Sequence, residues 1–271
     1  MLVRVARVFT FFFIASLLVV ATGCSTRSSY ITVDGTALGT FVQVKCNTTL
    51  SPTDIASIIE EVDTQAKASM SIFDSNSLLS QINRNETEVV DEHIAYNINL
   101  ARRFSEISRG AYDITIKPLT DAWGFGRERS KGEDINVDSL LEFVGYEKLS
   151  LEGDRLIKSD DRIQVDLNSI AKGYVVDMAA RALEEWGIED YLVDIGGEVR
   201  WRGVNAKGGA WRIGIETPFD GNNSMGEFVQ QVISLTDSSM ATSGNYRRYY
   251  LDDQGQKISH TIDPRTGRSA V

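Results

Sequence analysis

One stretch, Asp166 to Gly197, constrains the fold more than any other part of this chain. A short apolar pattern over Arg162 to Leu167 predicts a strand that leads into it, and a polar turn follows. Residues spaced four apart then predict an amphipathic helix, because such residues share one helix face; they are Ile170, Tyr174, Met178, Ala182 and Trp186. Gly187 suits the left-handed end of that helix. A second strand pattern, Tyr191 to Ile195, completes a strand–turn–helix–strand unit.

Residues able to bind a ligand occupy the joints of this unit. Asp166 ends the first predicted strand, and Ser169 and Lys172 lie at the start of the helix. Unpaired backbone N–H groups at a helix start favour anions. Gly196 and Gly197 allow another backbone or a ligand to approach closely. The alternative is that these residues form only a helix cap and a turn, without any ligand.

Length and charge limit the classes of function. The chain has 271 residues, which is enough for one large domain or two small ones. Its formal net charge is −10. Because it is not basic, nucleic acid is excluded as an expected partner. An acidic protein that handles a phosphate ligand would need a divalent cation between the two.

The first 24 residues form a separate segment. A basic start, an apolar run over Val8 to Val20 and small residues before Cys24 predict a bacterial lipoprotein signal peptide, with Cys24 acylated. An ordinary signal peptide is the alternative. Residues 25–30 are expected to be a tether, and residues 31–271 the folded domain. Cys46 would then lack an internal disulfide partner and fill an apolar site.

The remaining patterns predict an α+β fold with a mixed, mostly antiparallel sheet and helices on its outer faces, since hairpin patterns are numerous. Helices are predicted from Ser51 to about Ala68, over 75–83, over Asp91 to Ser108 and from Val137. Strands are predicted over 149–166 and 228–236. The sequence then predicts a small-residue turn over Ser238 to Asn245, hairpin strands over 246–251 and 256–262, and the start of a strand over 269–271. Zinc-protease, P-loop, dinucleotide and serine-hydrolase motifs are absent from the sequence.

Six segments, in order and spacing, resemble one known family; they are GTALGTFVQVK (35–45), GAYDITIKPLTDAWGFG (110–126), VDLNSIAKGYVVD (165–177), YLVDIGGEV (191–199), ATSGNYRRYY (241–250) and SHTIDPRTGR (259–268). The chain resembles the ApbE family of FAD:protein FMN transferases. The resemblance implies Mg²⁺-dependent cleavage of FAD and transfer of FMN to a Thr or Ser hydroxyl of a partner protein. The products would be a phosphodiester-linked flavin and AMP.

The resemblance also implies site residues, motif by motif. The implied FAD contacts are Leu38, Phe73, Ala111, Tyr112, Asp113, Asp166, Lys172 and Ile262 (the last through its backbone), and the implied metal ligand is Ser169. FAD would lie between the 110–113 loop, the 166–172 loop and the 244–262 hairpin. We interpret His260 as the base that takes the acceptor proton, since an unperturbed histidine titrates near neutral pH.

Members of the family continue into a short Asp-rich segment with further Mg²⁺ ligands, so the sequence is expected to be truncated at its C-terminus. The family also implies a lipid-anchored protein of the bacterial cell envelope that faces the periplasm, with a respiratory or electron-transport subunit as acceptor. Three alternatives stay open at this point. The protein could hydrolyse FAD to FMN and AMP, could bind FAD without chemistry, or could be a structural lipoprotein.

Overall fold

The chain combines six α-helices with antiparallel strands in its described residues. The computed structural model describes residues 29–126, 135–219, 226–245 and 248–270. The helices are α1 (Pro52–Met70), α2 (Leu78–Asn83), α3 (Glu92–Ser108), α4 (Lys117–Ala122), α5 (Val137–Leu141) and α6 (Asn168–Glu185). The strands are β1 (Ser29–Ala37), β2 (Thr40–Thr48), β3 (Leu149–Glu152), β4 (Arg155–Lys158), β5 (Tyr191–Ile195), β6 (Glu198–Arg202), β7 (Trp211–Glu216), β8 (Val229–Leu235), β9 (Ser238–Met240), β10 (Tyr249–Leu251), β11 (Lys257–Ser259), β12 (Ile262–Asp263) and β13 (Arg268–Ser269).

Five strands form the main sheet in the order β1-β2-β5-β6-β9, and every neighbouring pair is antiparallel. The register places Val193 of β5 between Val44 of β2 and Arg200 of β6. The other strands pair as β3–β4, β7–β8, β10–β11 and β12–β13. The predicted α+β class with a mostly antiparallel sheet is therefore confirmed.

Helices α1 and α6 cover one face of the main sheet, and α3 packs against both of them. Alternate side chains of β2 and β5 enter this core, as expected where one face of a strand is buried; they are Val42, Val44, Cys46, Tyr191, Val193 and Ile195. Cys46 is fully enclosed, and its burial raises the pKa of its thiol to about 11. The prediction that Cys46 is a buried apolar filler is confirmed.

The opposite face of the sheet carries a second, smaller cluster. Leu192 and Trp201 point to this side, where Trp211 of the β7–β8 hairpin packs against them. The indole N–H of Trp201 donates to the backbone oxygen of Leu235 at 3.0 Å, and that of Trp211 donates to Arg202 at 2.9 Å. These two bonds tie the hairpin to the sheet.

The predicted starts of two helices are confirmed by their capping bonds. Ser51 and Asp54 form a reciprocal capping box at the start of α1, with backbone-to-side-chain bonds of 3.2 and 2.9 Å. Asp91 accepts from the backbone N–H of Ile94 at 2.8 Å and so begins α3. Both helices have the alternating exposure that their apolar stripes predicted.

The strand predicted over Arg162 to Leu167 is wrong. Residues 163–167 belong to no sheet among the described residues. The side chain of Asn83 replaces a neighbouring strand: its Oδ1 accepts from Val165 N–H at 2.7 Å, and its Nδ2 donates to Val165 O at 2.8 Å. The apolar residues there reflect burial on both sides of the segment. A sequence pattern alone cannot distinguish such burial from the pairing of a strand in a sheet.

Two predictions near the C-terminal part of the domain need correction. The small-residue turn predicted over Ser238 to Asn245 begins as β9, which pairs with β6 so that Met240 lies opposite Val199. Ser269 does not begin an unpartnered strand, because it pairs with Ile262 in the short β12–β13 ladder. The hairpin predicted between the 246–251 and 256–262 patterns is confirmed as β10–β11, with shorter strands.

The predicted signal peptide and its lipidated Cys24 lie outside the described residues. Among the described residues, strand β1 begins at Ser29, within the predicted tether. Of the helices in the described ranges, none combines the length and apolar character that a membrane crossing requires.

Candidate functional site

The chain enters α6 through a buried carboxylate. The backbone N–H of Asp166 donates to Ile114 O at 2.7 Å, and its Oδ1 accepts from the backbone N–H of Asn168 at 2.8 Å. Leu167, the residue before the helix, offers no side-chain cap. Burial raises the pKa of the Asp166 carboxyl, while the Asn168 bond and the positive charge of Lys117 oppose that rise. Asp166 therefore fixes the start of α6 against the 110–116 segment.

Ser169 and Tyr112 meet in front of this helix start. The Ser169 hydroxyl donates to the Tyr112 hydroxyl at 3.1 Å, and Phe104 packs edge-on against the Tyr112 ring with centroids 6.1 Å apart. Burial raises the pKa of the Tyr112 hydroxyl, and the negative charge of Asp166 adds to the rise. The structure thus brings together three of the predicted site residues from two separate motifs.

Asp113 uses both carboxylate oxygens within the protein. Its Oδ1 accepts from the backbone N–H and the hydroxyl of Thr115 at 2.8 and 2.7 Å, and its Oδ2 accepts from Tyr146 N–H at 2.6 Å. Burial raises the pKa of this carboxyl, and the Thr115 bonds oppose the rise. The Asp113 side chain therefore holds the loop that carries Ala111 and Tyr112. Its FAD contact, and that of exposed Ala111, stay predictions.

Lys172 lies one turn into α6 and is paired with Glu198, the first residue of β6. The Lys172 ammonium donates to Glu198 Oε2 at 2.6 Å. The lysine side chain remains 39% exposed while the glutamate side chain is only 12% exposed. Because the cation faces solvent and the anion lies behind it, the pair presents positive charge beside the start of α6.

His260 sits just after β11, with its ring edge-on to Phe125 at a centroid distance of 6.3 Å. Its Nδ1 lies 3.2 Å from the backbone oxygen of Arg248. Burial lowers the pKa of His260, and the positive charges of Arg248 and Lys172 lower it further, against the raising effect of the Arg248 bond. His260 is therefore neutral at pH 7 and close to the Lys172 charge.

The remaining three predicted contacts belong to other elements of the fold. Leu38 occupies the β1–β2 turn, with φ +51° and its backbone N–H donating to Asp63 Oδ1 at 2.7 Å. Phe73 is 52% exposed in the loop after α1. The Ile262 side chain is buried in a cluster with Leu119, and its backbone contact with FAD stays a prediction. Among the described residues, no hydrogen bond, ion pair or ring contact joins these three to Tyr112, Lys172 or His260.

The structure also brings residues to the cluster that the sequence reasoning did not name. They are Phe104, Lys117, Asp121, Phe125, Glu198 and Arg248. Lys117 and Asp121 form an ion pair, and both charges act on Asp166. Most of these residues stand inside the family-like segments, and Glu198 follows the Gly-Gly turn directly. Their position in those segments was the sequence feature that could have identified them as site residues.

The described residues do not make a complete magnesium site. Within the ranges that the structure describes, no group of three or more His, Cys, Asp or Glu side chains is arranged to hold a metal ion. Ser169, the predicted ligand, is exposed and bonded to Tyr112. Asp121 Oδ1 is buried without a hydrogen-bond partner, yet it lies against Gly126, where an added Cβ would be 1.7 Å away. Asp121 alone does not complete a metal site among the described residues.

Comparison with known proteins places this arrangement in a family. A sequence model of the ApbE family matches residues 38–271. An FAD:protein FMN transferase of Vibrio cholerae serotype O1 is 37% identical over 94% of this chain and 77% of its own length. The Haemophilus influenzae protein of that name is 34% identical over 90% of this chain and 74% of its own length.

Solved structures agree with the sequence relatives. The flavin transferase ApbE from Vibrio cholerae has a TM-score of 0.78 at 33% identity, covering 90% of this chain and 79% of its own. The apo flavinyl transferase ApbE of Pseudomonas stutzeri also has a TM-score of 0.78, at 30% identity, covering 90% of this chain and 77% of its own. By sequence and by fold, this chain belongs to the ApbE family.

Proposed function

We propose that this protein is an FAD:protein FMN transferase, which moves FMN from FAD to a hydroxyl of an acceptor protein. The relatives that bear this name match most of the chain. The observation that carries the proposal is the meeting of Tyr112 with Ser169 at the start of α6, beside the Lys172 ammonium, whose charge also acts on His260. A polar aromatic ring can contact a flavin or adenine, a cation can balance phosphate charge, and a neutral histidine can accept a proton.

The diphosphate of FAD fits the start of α6. Helix α6 has 18 residues, and the positive end of its dipole attracts anions, while the Asn168 N–H is already bonded to Asp166. Lys172 adds an exposed ammonium beside that end of the helix. Tyr112 and the half-exposed Phe104 and Phe73 supply ring surface for the aromatic ends of the dinucleotide.

His260 is the base in this proposal. The Arg248 carbonyl can only accept a hydrogen bond, so the proton of neutral His260 resides on Nδ1 and Nε2 carries a free lone pair. Nε2 takes the proton from the acceptor hydroxyl as its oxygen attacks the FMN phosphorus. The P–O bond to AMP breaks, and AMP leaves with the electron pair. One phosphoester bond forms for each bond broken, so atoms and charges balance.

We infer that Mg²⁺ accompanies FAD, with Ser169 as one oxygen ligand. A divalent cation supplies charge neutralisation for the diphosphate. Within the described residues no group of three or more His, Cys, Asp or Glu side chains completes the site, so no step of the transfer is assigned to the ion. Chelation with EDTA should abolish transfer, and added Mg²⁺ should restore it; transfer that is insensitive to chelation contradicts this part of the proposal.

We also propose that Cys24 is acylated and anchors the protein to a bacterial membrane, facing the periplasm. The basic and apolar N-terminal segment followed by small residues and Cys24 supports this location. Labelling with a radioactive fatty acid should mark the full-length protein and leave a Cys24→Ser variant unlabelled. Equal labelling of both proteins would contradict the anchor.

The transfer itself is tested with the full chain, FAD, Mg²⁺ and a purified electron-transport subunit as candidate acceptor, alongside an acceptor whose target Thr is changed to Val. A fluorescent flavin band should remain on the acceptor after denaturing electrophoresis, and AMP should appear in equal amount. Release of free FMN and AMP without a labelled band would favour the FAD pyrophosphatase. Recovery of intact FAD bound to the protein would favour a carrier.

A further inference from the structure

The face of β6 that looks toward α6 carries a row of three charged side chains, each paired with the helix. Arg200 Nη1 donates to Asp177 Oδ1 at 2.8 Å, and Arg202 Nη1 lies 3.3 Å from Glu184 Oε1. The third member is Glu198, at the end of the row nearest the start of α6. Two pairs therefore place the cation on the strand and the anion on the helix.

The pair at Glu198 has the opposite polarity. Here the strand supplies the anion and α6 supplies the cation, Lys172, at an N–O distance of 2.6 Å. A carboxylate as enclosed as Glu198 is strongly destabilising unless a partner compensates its charge. The inversion leaves the ammonium on the solvent side, at the helix start where the FAD diphosphate is expected. If the strand supplied an arginine at this pair too, its helix partner would be a carboxylate at the start of α6.

The turn before β6 fixes the position of Glu198. Gly196 has φ +61°, and an added Cβ there would lie 2.7 Å from Thr40 Cγ2. Gly197 N–H donates to Asp194 Oδ1 at 2.9 Å, and Ile195 pairs with Glu198 in the ladder. The backbone of Glu198 is therefore held by the sheet, the turn and β2, while the Lys172 side chain has four rotatable bonds.

We propose that Glu198 is a positioning residue for FAD, which holds the Lys172 ammonium at the start of α6 before the ligand arrives. An ammonium has three donors, and Glu198 occupies one, so two remain for the diphosphate. Fixing a lysine in advance removes part of the side-chain entropy that binding would otherwise lose. The inference rests on the proposed function, because it requires that the site bind FAD.

The test is a double-mutant cycle on FAD affinity, measured by flavin fluorescence in wild type, Glu198→Ala, Lys172→Ala and the double variant. We expect Glu198→Ala to weaken FAD binding about tenfold, the effect of losing a hydrogen bond to a charged group. The double variant should bind no more weakly than Lys172→Ala, since Glu198 acts only through Lys172. Glu198→Gln retains an acceptor for the ammonium and should bind better than Glu198→Ala.

Glu86→Ala is the matched control, because Glu86 also pairs with a cation, Arg84, but on the exposed surface. It should bind FAD as wild type does. Lys172→Ala leaves Glu198 buried without its partner, so thermal unfolding of each variant is measured beside its affinity. The inference would be overturned if Glu198→Ala bound FAD as tightly as wild type. It would also be overturned if the fold-losses in affinity of the two single variants multiplied in the double variant. Either result would leave the proposed transferase function standing. Failure of the wild-type protein to bind FAD would overturn both.

Discussion

The carboxylate of Asp63 in α1 accepts the backbone N–H of Leu38 at 2.7 Å and so fixes the tip of the β1–β2 hairpin. Leu38 has φ +51°, a left-handed conformation that non-glycine residues rarely adopt. A side-chain bond to the backbone is one way to keep such a residue in place. The predicted flavin contact at Leu38 thus depends on a helix residue far from it in sequence.

Asp63→Ala should lower the free energy of unfolding by about 1–3 kcal/mol, because the partly buried N–H of Leu38 loses a charged acceptor. It should also weaken FAD binding if Leu38 contacts the flavin. Chemical denaturation and FAD titration measure the two effects. Lys67→Ala is the control: Lys67 pairs with the other oxygen of Asp63 on the surface, and its loss should cost at most about 1 kcal/mol. Equal destabilisation by both changes would show that the ion pair matters and the Leu38 bond does not.

The pH dependence of transfer should reflect His260. Its pKa lies below the ordinary histidine value of about 6.5, so the ring is neutral at pH 7 and gains a proton only in more acid solution. A base must be unprotonated, and the rate should therefore be constant near pH 7 to 8 and fall through a midpoint below 6.5. A plot of kcat/KM for FAD against pH measures that midpoint.

His260→Gln should reduce transfer by about 10²–10⁴-fold, the usual range for a general base. FAD affinity should change little, and the acid limb of the pH profile should disappear. Retention of that limb in the variant would assign the titration to another group and remove His260 from the role of base.

Asn83 offers a test of the corrected strand prediction. Its buried amide bonds both the N–H and the C=O of Val165, at 2.7 and 2.8 Å. Asn83→Ala leaves both groups unpaired and should cost about 2–5 kcal/mol of stability, since each buried unsatisfied group costs about 1–3 kcal/mol. Gln81→Ala, in the same helix with a surface bond to Asn76, should change stability by no more than about 0.5 kcal/mol. Similar melting temperatures for the two variants would contradict this account.

Two glycines with similar backbone angles should respond differently to alanine. Gly153 has φ +66° with open space around it, so Gly153→Ala should cost about 1–2 kcal/mol from the left-handed conformation alone. Gly196→Ala adds a clash with Thr40 and should cost more. Thr40→Ala in the Gly196→Ala background should recover part of the loss. Absence of that recovery in thermal unfolding would show that the Thr40 contact is relaxed by other movements.

Local patterns were sufficient to predict much of the fold. The α1 and α3 starts follow from Ser51 and Asp91, because a capping side chain acts within a few residues. The segment before α6 was not predictable in this way. The side chain of Asn83, 82 residues away in sequence, bonds the backbone of Val165 in this segment. An apolar run indicates burial but does not identify the partner of the backbone groups. Strand β9 was missed because its small polar residues have little strand propensity and only pairing with β6 makes them a strand.

The family-like segments named Tyr112, Lys172 and His260 as candidate site residues, and their roles stay predictions. Glu198 was not named by the sequence patterns. It lies 26 positions from Lys172 along the chain, and only the folding of α6 and β5 brings the two side chains together. Asp113 illustrates the reverse case. Its place in a motif suggested a ligand contact, which stays a prediction, but sequence alone did not show that its carboxylate also bonds Thr115 and Tyr146.

The enclosure of Cys46 has a practical consequence for reporter chemistry. Maleimide and iodoacetamide reagents react with thiolates, and a thiol with a pKa of about 11 behind the β-sheet is scarcely ionised at neutral pH. In a Cys24→Ser protein, a cysteine introduced at the exposed Phe73 position would therefore take up a fluorophore selectively. Such a probe beside the expected flavin pocket would follow ligand arrival in real time by energy transfer from the dye to the flavin or the reverse.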